Sequence, residues 1–230
     1  MVEVYGKLAY FAKKNGKDII VYDEQEFGEE YDRADYPFEL DRELAYTAMQ
    51  NGKYFIVYQG KKYSEEYDSL NRIRSLNGKV AFITREGSKG FVMYGGKKVS
   101  KEYDTNLYKI QNLEIIGGKV MYVVEEKRTE GIGGESVGVG SRYHVFSENE
   151  KVGVYDYIFA PSTTSAELID INGQLAFRAQ QGDKWVVVYG GKKAAEYDDI
   201  DHLTSVAGKL AFTARVGSKD EGKTFIVMEK

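Results

Sequence analysis

The sequence predicts an all-β chain in which about six copies of one four-stranded antiparallel unit follow one another. Three recurring phrases predict it. The first is GKLAY at 6–10, RELAY at 42–46, GKVAF at 78–82, GKVMY at 118–122, GQLAF at 173–177 and GKLAF at 208–212, at steps of 36, 36, 40, 55 and 35 residues. The second follows each of these: DIIVY at 18–22, YFIVY at 54–58, GFVMY at 90–94, YHVFS at 143–147, WVVVY at 185–189 and TFIVM at 224–228. The third follows five of the six: GEEYD at 28–32, SEEYD at 64–68, SKEYD at 100–104, VGVYD at 152–156 and AAEYD at 194–198.

Each phrase is too short for a helix and rich in β-branched and aromatic residues, which is strand chemistry. A half-apolar stretch such as DSLNRIRSLNG or DDIDHLTSVAG precedes each first phrase and supplies the first strand of its unit. NGK, GSKG or QGDK then separates the first phrase from the second, and QGKK or GGKK separates the second from the third, both hairpin turn signals. The unit is thus a meander of about 36 residues. Units of four strands repeated near 40 residues are the signature of propeller blades. The near-continuous apolar runs of the middle strands fit packing on both faces.

The expected architecture is a six-bladed β-propeller, one domain over 1–230, with blades at about 1–32, 33–68, 69–104, 105–156, 157–198 and 199–230. The last phrase, TFIVMEK, has no third phrase after it, and VEVYGK at the start matches the end of a first strand. The last blade is therefore expected to have three strands, with its third strand an open edge. Open edges invite pairing with another chain, so an edge-strand homodimer through Thr224–Met228 is expected, or a polypeptide that continues past Lys230.

The unit GK-apolar-A-F…FIVY-GGKK…EYD resembles the blades of TolB-like propellers, and its recurrent Tyr-Asp is similar to bacterial WG-type repeats. The resemblance spans nearly the whole chain. It implies a fold and no activity, because propellers host unrelated functions.

Composition narrows the function. There is no cysteine among the 230 residues, which excludes disulfides, thiolate metal sites and a cysteine nucleophile. The net charge is −4 with both signs mixed along the chain, unlike a nucleic-acid binder. No apolar run approaches a membrane span, and the start, MVEVYGKLAYFAKKNGK, lacks a signal-peptide core. The chain as written reads as soluble and cytoplasmic, or as exported if a leader was removed. No nucleophile elbow, phosphate loop or calcium loop is present. His144 and His202 share no metal-like spacing and read as structural. No cofactor and no metal is expected. The leading function is a non-catalytic scaffold that binds a protein or a glycan, alone or as a module of a larger protein. The alternatives are a hydrolase or lyase with its site at the central channel, and a purely structural repeat.

Strand order predicts that turn lysines (Lys7, Lys61, Lys62, Lys79, Lys97, Lys98, Lys119, Lys192, Lys193 and Lys209) gather on one face. Asp32, Asp68, Asp104, Asp156 and Asp198 gather on the other. The plainer reading makes them turn formers repeated with the unit; the functional one offers a lysine face to an acidic partner. Tyr31, Tyr67, Tyr103, Tyr155 and Tyr197 read as packing residues. The fourth unit departs from the repeat twice, in a flexible glycine-rich loop VEEKRTEGIGGESVGVGSR at 124–142 and in YIFAPSTTSAE at 157–167, at the junction to the fifth unit. Long irregular segments carry function more often than their scaffold does. The candidate ligand-binding residues are therefore Arg128, Glu130, Glu135, Ser136, Arg142, Thr163 and Thr164.

Overall fold

The computed structural model describes residues 1–132, 135–159, 167–218 and 221–228. Among them no residue is helical and the strands form antiparallel sheets. The chain divides into two compact units, Met1–Glu102 and Tyr103–Lys230.

The first unit holds three four-stranded meanders. Sheet one is Val2–Val4, Lys7–Lys14, Lys17–Tyr22 and Gln25–Tyr31. Sheet two is Arg33–Leu40, Glu43–Gln50, Lys53–Tyr58 and Lys61–Lys62, and sheet three is Ser69–Leu76, Lys79–Glu86, Lys89–Tyr94 and Lys97–Lys98. In the second unit, sheet four is Tyr108–Ile116, Lys119–Ile132, Glu135–Ser147 and Glu150–Tyr155. Sheet five has a first strand in two pieces, Tyr157–Ile158 and Ile169–Ile171, followed by Gln174–Gln181, Lys184–Tyr189 and Lys192–Tyr197. Sheet six has three strands: Asp199–Val206, Lys209–Val216 and Lys223–Met228.

The turn chemistry explains the tight meanders. Asn51 and Gly52 both take positive φ, +53° and +76°, the conformation a two-residue hairpin needs to match strand twist. The core lies between successive sheets of a unit. Leu44, Tyr46 and Ala48 of sheet two face Ile20 of sheet one, while Ala45 on the opposite face joins Val80 and Phe82 of sheet three. Both faces of a middle strand are therefore dry, which is why its sequence runs apolar without alternation.

Tyr31, Tyr67, Tyr103 and Tyr155 are buried, and Tyr197 is half-buried. Each packs edge-on or tilted against an aromatic ring of the sheet that follows it: Tyr31 on Tyr46, Tyr67 on Phe82, Tyr155 on Phe177, Tyr197 on Phe212 and Tyr103 on Phe146. The aspartates after them are clamps. Asp32, Asp68, Asp156 and Asp198 accept from the backbone N–H of Asn51, Gly87, Gly182 and Gly217, at 2.7–2.8 Å, in the second-to-third-strand turn of the following sheet. Lys53 and Lys184, which open the third strand of the clamp's own sheet, pair with Asp68 and Asp198. Asp104 precedes the sheet with the long hairpin and accepts instead from Asn106 N at 3.0 Å.

The lysines of the repeat are exposed, but several are occupied locally. Lys62, Lys98 and Lys193 pair with Glu66, Glu102 and Glu196. Lys62 and Lys98 also cover the Phe55 and Phe91 rings at 5.3 and 4.2 Å. These three ammonium groups thus have a carboxylate of their own sheet's outer segment beside them.

The clamps carry a pH signature. The Lys53 ammonium and the Gly87 N–H hold the Asp68 carboxyl below the usual range, as Lys184 and the Gly217 N–H do for Asp198. A lowered folded value means the stabilisation is complete above the ordinary value of about 3.9 and is lost as pH falls through the lowered one. Thermal melts of wild type and an Asp68→Asn/Asp198→Asn variant are expected to differ at pH 7 and to converge toward pH 3.

Candidate functional site

Two departures from the repeat meet in sheets four and five. The first replaces the expected flexible loop at 124–142 with a longer hairpin. Its ladder runs from Met121↔Ser147 out to Ile132↔Glu135, with one irregularity at Arg128/Thr129. Glycine is a poor strand former alone, but the paired strands already present act as the template, and the extra residues continue the same register.

The second departure interrupts the first strand of sheet five rather than lying at its junction. Ile158 faces Ala179 and Ile169 faces Ala176, so eleven steps of the first strand span three of the second, eight more than a plain ladder. Sheets two, three, four and six each carry a one-residue bulge at this register. The insertion is thus that bulge enlarged. Its base is closed by Glu167 N donating to Phe159 O at 2.7 Å.

Under the base lies Arg178, 5% exposed. The equivalent residue in the other second strands is Phe11, Thr47, Ile83, Val123 or Thr213. Its guanidinium sits 3.3 Å from the Phe159 ring centroid, and its Nη1 donates to the Ile200 carbonyl oxygen at 2.6 Å. Glu167 and Asp201 approach it at 3.7 and 3.6 Å. Nε and Glu167 Oε2 are buried without a hydrogen bond. A buried guanidinium is costly unless paired, so this set ties the base of the insertion to sheet six.

The two departures lie beside each other. Tyr143 of the hairpin meets Tyr157 edge-on at 5.9 Å, and Tyr157 meets Trp185 in the same way at 5.9 Å. All three rings are half-buried. Behind Tyr143, Glu125 accepts from Ser141 Oγ at 2.7 Å and from Gln111, the bulge residue of sheet four. Burial pushes the Tyr143 hydroxyl up, and the Glu125 charge adds to this.

The other face of the same hairpin carries a second cluster. His144 Nε2 lies 2.8 Å from Glu126 Oε2, and Tyr108 Oη donates to Glu126 Oε1 at 3.2 Å. The His144 contact holds the Glu126 carboxyl below its usual range, and the Tyr108 hydroxyl assists.

Of the residues singled out from sequence, Arg128 and Arg142 are exposed on the hairpin, opposite Gly140 and Glu126. Glu130, Glu135 and Ser136 fall in its outer ladder, opposite Val137, Ile132 and Gly131; their side chains lie outside the described residues. Thr163 and Thr164 lie outside the described residues altogether, as does the His202 side chain. Arg178, Glu167, Tyr157 and Trp185 escaped the sequence reading. Arg178 had a visible signal, the only charge at its place among the six aligned second strands. Among the described residues no group of three His, Asp or Glu could hold a metal ion, and no helix is long and apolar enough to cross a membrane.

No protein-family model matches the chain, and no curated protein matches it. Among solved structures, the crystal structure of the polysaccharide lyase Uly1 is similar at a TM-score of 0.33 and 11% identity, over 85% of this chain and 58% of that one. The chain thus spans less than two thirds of that protein's length.

Proposed function

We propose that the chain is a non-catalytic binding module whose ligand, a glycan, is held where sheets four and five depart from the repeat. The observation that carries this is the Tyr143–Tyr157–Trp185 line of rings, which runs from the long hairpin into sheet five, whose first strand also holds Phe159 over Arg178. Aromatic rings offer apolar faces to sugar C–H groups, and fixed polar groups beside them, here Glu125, Ser141 and Gln111, give direction. Arg128 and Arg142 on the exposed hairpin suit acidic sugars.

The test is affinity electrophoresis against a panel of neutral and acidic polysaccharides. Wild type is expected to be retarded by at least one of them. Tyr157→Ala is expected to weaken that binding about three- to tenfold, the worth of ring contacts of 0.5–1.5 kcal/mol, and deletion of 130–139 to weaken it further. Binding unchanged in both variants overturns the reading, and binding only to a protein partner replaces the glycan.

A second reading, a hydrolase or lyase, is favoured by the His144–Glu126–Tyr108 set alone. A carboxylate orients an imidazole for proton transfer. Turnover of a polysaccharide by wild type, lost in His144→Gln, would carry it.

We also propose that the six sheets are the blades of one propeller. Support comes from the strand order shared by the sheets and from each outer-strand tyrosine packing on the sheet after it. Small-angle scattering that fits an open or elongated array, and no closed ring, would reject it.

A further inference from the structure

The third strand ends on a tyrosine in four sheets, at Tyr22, Tyr58, Tyr94 and Tyr189, on Met228 in sheet six and on Ser147 in sheet four. The residue opposite each tyrosine in the ladder is an alanine, Ala9, Ala45, Ala81 or Ala176. Opposite Ser147 it is Met121. Tyr22, Tyr58 and Tyr189 each pack in the core that their sheet shares with the next one. In sheets one and two a second ring meets the tyrosine edge-on at 5.7 Å, Phe27 on Tyr22 and Tyr63 on Tyr58. Counted from the turn, Val152 holds that second place in sheet four.

Sheet four thus places a serine and a valine where sheets one and two place two rings, and Met121 does not close the space. A cavity of about 330 Å³ lies there, between Ile116, Lys119, Met121 and Val152 of sheet four and Gln174 and Leu175 of sheet five, with Ser147 in its wall. That volume is at the small end for ligand pockets. The first turns of the two sheets meet in the same wall, where a Cβ on Gly117 would stand 2.3 Å from the Gly173 carbonyl oxygen. The other sheets show what such a place holds. The Tyr22 hydroxyl donates to the Val4 carbonyl oxygen at 3.3 Å, and the Lys7 ammonium lies 5.6 Å from the centre of its ring. Lys79 lies over the Tyr94 ring in the same way, at 5.7 Å. Ile116 pairs with Lys119 as Val4 pairs with Lys7, so the acceptor and the cation recur in sheet four without the ring. Lys119 is exposed and has neither a carboxylate nor a ring beside it among the described residues.

We propose that this cavity binds a small free phenol. The ring takes the place that tyrosine fills from within in four other sheets, with Lys119 over its face and its edges on Met121, Val152 and Leu175. Its hydroxyl donates to the Ile116 carbonyl oxygen. A cation over the ring face and a carbonyl acceptor at its tip select an aromatic donor over an aliphatic chain. The unbranched Met121 thioether adapts to the ring that enters. Tyr143, Tyr157 and Trp185 do not line the cavity, so the phenol site and the glycan site stand or fall separately.

The probe is p-cresol, the tyrosine side chain freed of its backbone, titrated into the intact chain and followed by amide chemical shifts. One molecule is expected to bind per chain, with shifts centred on Lys119, Ser147 and Leu175. Ser147→Tyr combined with Met121→Ala rebuilds the tyrosine–alanine pair of the other sheets. This double variant is expected to abolish binding while melting no lower than wild type, which separates a filled cavity from a lost fold. Lys119→Ala, at an exposed position, is expected to weaken binding about threefold, the scale of a cation over a ring. The methyl ether 4-methylanisole, which cannot donate, is expected to bind about fivefold more weakly than p-cresol. No shifts at these residues with p-cresol at tens of millimolar, or binding that survives the double variant, overturns the proposal. Equal binding of the methyl ether overturns the assignment to phenols. Tighter binding of the peptide Gly-Tyr-Gly than of p-cresol overturns the assignment to a free small molecule and gives the cavity to a tyrosine of a partner chain.

Discussion

Replacing Arg178 with alanine is expected to destabilise the second unit by about 3 kcal/mol, near the lower end for breaking a buried pair. The side chain fills the space beneath Phe159, reaches the Ile200 carbonyl and faces Glu167 and Asp201. Its loss leaves a cavity and a carboxylate oxygen buried without a partner. Asp201 is well exposed and re-solvates, which keeps the cost from rising further. Adding Glu167→Gln to Arg178→Ala is expected to cost less than the sum of the two single changes, because they remove one interaction. Urea unfolding of the four proteins measures this. Additive losses would show that the arginine acts through packing alone. Retardation by any polysaccharide that retards wild type is expected to fall as well in Arg178→Ala, measured below its melting temperature, since Phe159 and Glu167 lose the side chain they pack on.

Tyr67→Ala is expected to cost about 3–5 kcal/mol, the range for truncating a buried aromatic. Tyr67 is buried between Phe82 and Phe91, with edge-on contacts to both rings. Tyr67→Phe keeps both ring contacts and is expected to cost under about 1.5 kcal/mol. Denaturant midpoints of the two variants separate ring packing from the hydroxyl. Equal losses in both would mean that the hydroxyl carries the stabilisation.

The strands were legible because each physical requirement repeats in the text of the chain. The Asn-Gly and Gly-Gly turns, the apolar middle strands and the Tyr-Asp ends recur at nearly fixed steps, and the sheets follow them. The candidate site was half legible. Departures from the repeat pointed to the fourth and fifth units, but their form was misjudged. A glycine-rich stretch reads as a loop from composition, and only the neighbouring paired strands show that it can continue a ladder. The bulge in the first strands could not be read, because a one-residue offset is invisible without the partner strand. The pairing of His144 with Glu126 depends in the same way on the register of a hairpin that joins residues eighteen apart. Arg178 could have been found by stacking the six second strands and asking which holds a charge.

The enlarged bulge in sheet five also bears on protein engineering. Its register takes one extra residue in four sheets and eight in a fifth, and the strands on either side resume their ladder. Nature has thus already performed a loop graft within this chain, and the ungrafted sheets show the empty sockets. A foreign segment of about eight residues, spliced at Gln111 or between Tyr36 and Pro37, would enter at a point where the backbone already leaves the ladder. If the graft carries its own buried anchor in the place of Thr47 or Val123, as Arg178 does for sheet five, one repeat could display several binding loops side by side.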